Sequence, residues 1–254
     1  MSATSIASVP APREPSVTER GVARHEMVRA ERWSVRGTVK VARDVDVGEA
    51  DLQGTVSVGG AFRAGRLASD GLLEVSGPLQ TEGPISGRGE LRAGATLRAG
   101  DLTRRGRLQV AGAITVDRRI DVTGWLRAAS VAAQDVRLDG VIEVSGPVRG
   151  ASVDLRLRDG SRIGPVEGRT VRLGAHTPNL VDKVLARRVT VTIARVEAES
   201  VELEGVDVAF VRAREIVLGR GCHVTAFEGT IVRRHPTSRV GPESRSAPPY
   251  GLRR

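Results

Sequence analysis

The sequence predicts an all-β fold, a single-stranded three-sided β-helix. Three observations carry the prediction: a repeat about seventeen residues long, two-residue alternation inside each repeat, and a core composition almost without aromatic rings. The repeat shows in the near copies Gly71-Leu-Leu-Glu-Val-Ser-Gly-Pro-Leu79 and Gly140-Val-Ile-Glu-Val-Ser-Gly-Pro-Val148, with Gly106-Arg-Leu-Gln-Val-Ala-Gly-Ala-Ile114 between them. A glycine followed two residues later by an aliphatic recurs at Gly37/Val39, Gly54/Val56, Gly71/Leu73, Gly89/Leu91, Gly106/Leu108, Gly124/Leu126 and Gly140/Ile142, at spacings of 17, 17, 18, 17, 18 and 16. Self-similarity at a fixed short period is the mark of a solenoid.

Within a copy, Gly71, Leu73, Val75, Gly77 and Leu79 share one face, and Leu72, Glu74, Ser76 and Pro78 share the other. Such alternation is that of a half-buried strand, and helical periodicity is absent over the same stretch. Seventeen residues are too few for a strand–helix unit but suit one turn of a three-sided coil. Each coil then pairs in parallel with the next, about 4.8 Å away, and serves as its own crossover. Aromatics are 2% of the chain against 40% hydrophobic residues and 30 glycines, which suits a thin core of stacked Val, Leu and Ile better than a compact globule.

Along the chain, residues 1–32 are rich in Ser, Ala, Pro, Arg and Glu and read as a disordered tail, with a weakly amphipathic helix over 19–32 as the alternative. Residues 33–232 form the β-helix, roughly eleven turns and about 50 Å long. The phase weakens at Gly160 and Ile163, and an interruption near 175–186 contains Pro178 and Asn179. Alternation resumes at Val189-Thr-Val-Thr-Ile193 and continues through Val201/Leu203 and Ile216/Leu218. Residues 233–254 read as a second disordered tail, with Pro236, Pro242, Pro248 and Pro249.

The net charge is +9, almost all of it arginine, since Lys40 and Lys183 are the two lysines. In the body the arginines are interleaved with Asp and Glu, as in surface ion pairing. The tail holds Arg233, Arg234, Arg239, Arg245, Arg253 and Arg254 against Glu243, a net of +5, and suits an anionic contact such as a membrane surface. Cys222 is the single cysteine, so no internal disulfide forms. No signal sequence or membrane-spanning run is evident, and the expected location is cytoplasmic, with association at the inner membrane face through the tail.

No catalytic, cofactor-binding or metal-binding constellation emerges. Of the four histidines, His25, His176, His223 and His235, none lies in the regular repeat, and Cys222-His223 are adjacent rather than spaced for tetrahedral ligation. Asp135 and Asp139 read as a solvated face rather than a carboxylate pair. No Walker loop or dinucleotide fingerprint is present, and Gly83-Pro-Ile-Ser-Gly-Arg-Gly89 occupies repeat bends. Arg104, Arg105, Arg107, Arg118 and Arg119 would line a basic strip across adjacent turns, but scarce aromatics argue against nucleic acid as a partner.

The glycine-and-aliphatic turns flanked by two tails resemble the bactofilins, polymer-forming cytoskeletal proteins. The stretch Val196-Glu-Ala-Glu-Ser-Val-Glu-Leu-Glu-Gly205, then Phe210-Val-Arg212, then Ile216-Val-Leu-Gly-Arg-Gly-Cys-His-Val224 is similar to the terminal part of a longer subgroup from spore-forming bacteria. The resemblance covers roughly residues 34–232. It implies a right-handed coil that polymerises end to end without nucleotide, and scaffold roles in cell shape, motility or envelope assembly. This chain departs from the shorter members in its length, its interruption near Pro178 and its basic tail.

A physical argument points the same way, because each end of a β-helix bears unpaired N–H and C=O groups that must be capped or paired. The sequence offers no capping helix. The expected partner is therefore another copy of the chain, with Phe227 and, more weakly, Phe210 as candidate interface residues. A discrete β-helical adaptor that recruits an envelope or motility protein is the alternative. An acyltransferase-like enzyme comes third, because such coils advance in strict sixes.

Overall fold

The computed structural model describes residues 13–175 and 191–242. Every element among them is a strand, and nineteen parallel strands form one continuous sheet wound into a β-solenoid of about twelve turns. Strand β2 (Val28–Val41) lies beside β3 (Val45–Val58), and β3 beside β4 (Phe62–Val75), each a constant seventeen residues on: Val28↔Val45↔Phe62.

Two inward residues on each of three short sides build the core. In β4 these are Phe62 and Ala64, Leu67 and Ser69, then Leu73 and Val75, all buried. Each stacks on its counterpart a coil away, giving ladders such as Val39, Val56, Leu73, Leu91, Leu108, Leu126 and Ile142. Every one of those seven side chains is at most 1% exposed. Each fully buried aliphatic contributes about 1.5–3 kcal/mol, and neighbouring coils stabilise one another. Trp33 and Phe62 are the two aromatic rings fully buried in this core, 6.3 Å apart between centroids.

The repeated glycines form one column at a corner of the coil. Gly21, Gly37, Gly54, Gly71, Gly89, Gly106, Gly124 and Gly140 pair in succession. At Gly71 the backbone has φ +124°, and a Cβ there would lie 2.1 Å from the carbonyl oxygen of Gly54. The corner therefore demands glycine twice over, for its backbone conformation and for the close approach of the coil below.

Two expectations about boundaries change. Residues 13–32 are not a disordered tail, and no helix occupies 19–32: β1 (Glu14–His25) and the start of β2 complete a full coil beneath Val28. Its inward positions are Glu14, Val17, Glu19, Ala23 and His25, opposite Ala30, Trp33, Val35, Val39 and Val41, so a terminal coil covered on one side carries polar residues where others carry aliphatics. At the other end, β18 (His223–Arg234) and β19 (Arg239–Val240) extend the solenoid past residue 232, and Ser238 is buried. Most of the predicted interruption at 175–186 lies outside the described residues. The coil containing it spans thirty residues, Val166↔Val196, and the columns continue across it in register.

Candidate functional sites

The N-terminal end is built by β1. Among the described residues β1 pairs with β2 alone, so its other edge is open. Across the mouth of the core, Glu19 Oε1 and His25 Nε2 lie 2.8 Å apart. Val22 is 81% exposed on the same strand. Inward-pointing charge is one of the ways natural sheets blunt an edge.

The C-terminal end is built by β18 and β19. Phe227 stacks on Val211, Ile231 on Ile216, Arg234 on Leu218 and Val240 on Val224. A register shift follows Ile231, extruding Val232, which is 62% exposed. Arg234 curls over the end and donates from Nε and Nη2 to the Ser238 carbonyl at 3.2 and 2.8 Å.

The expected interface residues fare differently. Phe227 occupies an inward position on the terminal coil and is half-buried against the core, at the open end. Phe210 does not reach the end. It lies one coil in, with Ala226 above it, and the Arg195 guanidinium covers its ring at 5.5 Å. Of the tail arginines, Arg233, Arg234 and Arg239 are exposed on the terminal coil, whereas Arg245, Arg253 and Arg254 lie outside the described residues.

The proposed basic strip is not a strip. Arg104 points inward and is 2% exposed. Its column runs Val35, Leu52, Ser69, Gly87, Arg104, Val122, Leu138, so an arginine interrupts an aliphatic ladder. Gly87, lacking a side chain, leaves the space through which Arg104 reaches two coils down. Its Nη1 donates to the Ser69 carbonyl at 2.9 Å and the Ser69 hydroxyl at 2.6 Å. Arg104 Nε has no partner among the described residues, and burial pushes the guanidinium down to about 10, opposed by the charge of Asp70.

The other strip members are surface groups. Arg107 lies 3.7 Å from Glu90 and covers the Trp125 ring at 4.8 Å. Arg118 forks onto Asp101, and that hydrogen bond holds the Asp101 carboxyl below the usual carboxylate range. Arg105 and Arg119 are exposed.

Cys222 is buried and His223 exposed, as two-residue alternation dictates for neighbours. Burial pushes the thiol pKa up, the reverse of nucleophile activation. His235 Nδ1 lies 2.9 Å from the Thr237 hydroxyl in the last corner, and His176 is outside the described residues. Asp135 and Asp139 both face outward, four residues apart on one extended strand, or about 13 Å, too far for a carboxylate pair. Among the described residues no group of three His, Cys, Asp or Glu side chains is placed to hold a metal ion. A shallow groove of about 420 Å³ lies along Arg127, Glu143 and Arg162, open to solvent.

Two functional details escaped the sequence reading. Ser161 is buried at a corner, where its hydroxyl accepts from the Ile142 N–H at 3.1 Å and donates to the Arg158 carbonyl at 2.7 Å. Ser238 does the same work for the Cys222 N–H at 3.3 Å. Both lie in the local string Ser-Arg-aliphatic, Ser161-Arg162-Ile163 and Ser238-Arg239-Val240, which was the available signal.

No protein family matches the chain, and no curated protein or solved structure is similar to it. No helix among the described residues is long and apolar enough to cross a membrane.

Proposed function

We propose that this chain is a non-catalytic structural scaffold that assembles with copies of itself through the ends of its coil, without nucleotide. The observation that carries the reading is the open backbone edge on both terminal coils among the described residues. β1 pairs only upward with β2, and β18 is covered only in part, by the two residues of β19. A long parallel edge is a template for another strand. Phe227, half-buried at the rim, gives that edge an apolar contact. The same behaviour is what the bactofilin resemblance implies. Arg233, Arg234 and Arg239, with Arg245, Arg253 and Arg254, would hold the assembly against an anionic surface, placing it at the inner face of a membrane.

A second reading has its own observation. Glu14, Glu19 and His25 at inward positions and the bulge at Val232 are devices that blunt edges, and they favour a discrete rod that recruits an envelope or motility partner. Negative-stain microscopy of the full chain separates the two: filaments or sheets support the scaffold, and uniform rods about 58 Å long support the adaptor. In the scaffold, Phe227→Arg shortens the polymers; unchanged polymers would remove Phe227 from the interface. Deleting residues 243–254, which leaves β19 in place, weakens binding to anionic vesicles if the tail is the anionic contact; unchanged binding would remove Arg245, Arg253 and Arg254 from it.

A further inference from the structure

Resting on the assembly reading above, we infer that the contact is head-to-tail with fixed polarity, the N-terminal coil of one copy, with Glu14 and Glu19 at inward positions, seating on the arginine-bearing C-terminal coil of another. The columns make the match explicit. Glu19 stands at the foot of the column that Arg234 completes: Glu19 lies under Val35, and Arg234 lies over Leu218. If the next copy continues the ladder in register, its Glu19 falls over Arg234, inside the rim, one strand spacing away.

The neighbouring columns agree. Val17 would cover Ile231, joining two apolar positions of one ladder. Glu228 stands over Arg212, and the position above it belongs to Arg13, one residue before the Glu14↔Ala30 pair. One juxtaposition opposes the match: Arg239 would meet Arg24, whose partner below is Lys40. Both of these are outward and exposed, where water and salt weaken the repulsion.

The other two arrangements fare worse. Head-to-head contact sets two copies of β1 together, with no arginine at an inward position to meet Glu19, and tail-to-tail contact sets two copies of β18 together, with no carboxylate at an inward position to meet Arg234. A charge pair enclosed between coils adds little net affinity, but leaving either member enclosed without its partner costs several-fold to many-fold in binding. The pair therefore selects polarity and register, while Val17, Phe227, Ile231 and the backbone edges supply the adhesion.

Cysteine cross-linking of the full chain tests this directly. Thr18 and Arg233 occupy one outward column, Thr18 under Ser34 and Arg233 over Val217, so head-to-tail seating brings them to disulfide range. The native Cys222 is buried and stays out of the reaction. Chains carrying Thr18→Cys and chains carrying Arg233→Cys are mixed under mild oxidation. Mixed 18–233 dimers are expected, with each variant alone remaining uncross-linked. Cross-linked 18–18 or 233–233 dimers would overturn the polarity while leaving assembly intact. Charge variants give a second readout, with folding checked by circular dichroism. Glu19→Arg and Arg234→Glu should each raise the concentration needed for assembly about tenfold or more, and the double variant should return it to near the wild-type value. Unchanged assembly in both single variants would overturn the pairing. Wild-type chains that stay single rods would instead sink the scaffold reading beneath it.

Discussion

Between Gly37 and Gly140 the coils hold to 16–18 residues and the same corner is glycine every time; beyond Gly140 the corner position passes to Leu157 and then Ala175, and coil lengths range from fifteen to thirty residues. The inward columns do not notice the change. Val136, Val153, Val171, Val201 and Ile216 continue one ladder through the regular and irregular halves alike. Continuity of the solenoid thus depends on the aliphatic ladders, since the coils at Leu157 and Ala175 keep lengths of 17 and 18 residues without glycine at that corner. One coil above Gly140 and one coil above Gly221, the buried Ser161 and Ser238 take up the Ile142 and Cys222 N–H groups.

The sharpest way to break the comparison is to give a side chain to one glycine from each half. Gly71→Ala places its Cβ on the Gly54 carbonyl at a positive φ, and should cost at least about 3 kcal/mol or abolish folding. Gly174 has ordinary φ, and among the described residues nothing lies within 4 Å of a built Cβ. Gly174→Ala should therefore change stability by less than about 0.5 kcal/mol, or raise it slightly by stiffening the unfolded chain. Urea denaturation of the two variants checks both, and equal losses would show that the corner does not distinguish the halves.

The next largest effect lies in the buried polar groups. Ser69→Ala removes a hydroxyl that accepts from a buried guanidinium at 2.6 Å and should cost about 1.5–3 kcal/mol. Arg104→Met, by contrast, replaces the buried charge with an apolar chain that can occupy the space left by Gly87, and should be neutral or stabilising. In the irregular half, Ser161→Ala leaves the Ile142 N–H without its partner and should cost about 1–2 kcal/mol. A loss in Arg104→Met larger than in Ser69→Ala would mean that the arginine stabilises the coil rather than burdening it.

The regular half was legible because two independent signals, glycine spacing and alternation, agree there. β1 was missed because its inward set, Glu14, Val17, Glu19, Ala23 and His25, contains three polar residues, although Gly21 keeps the spacing at sixteen from Gly37. The last corner was missed for a similar reason: Ser238 is buried by position, not by hydrophobicity. Arg104 was read as a surface charge among Thr103, Arg105 and Arg107, yet it sits two residues before Gly106, as Ser69 does before Gly71 and Val122 before Gly124. Phase identified the position as inward, and residue type concealed it. The ends resisted reading for a deeper reason, since which residues meet there depends on how the first and last coils align across the whole stack.

The smallest predicted effect concerns the outward ladders, where the regular spacing sets an arginine one coil above a carboxylate. Arg118 bonds Asp101 seventeen residues below and lowers its pKa from the ordinary 3.8. Because the folded value is the lower one, the contribution is fully present above the ordinary value and is lost as pH falls through the folded value. The pair is largely exposed, so Asp101→Asn should lower Tm by no more than about 2 °C at neutral pH. Once the pH has fallen through the folded value the wild-type carboxyl is protonated as well, and the two melting curves should converge. A difference that persists undiminished in acid would show that Asp101 contributes through packing at the corner, and not through the charge that the seventeen-residue register places above it.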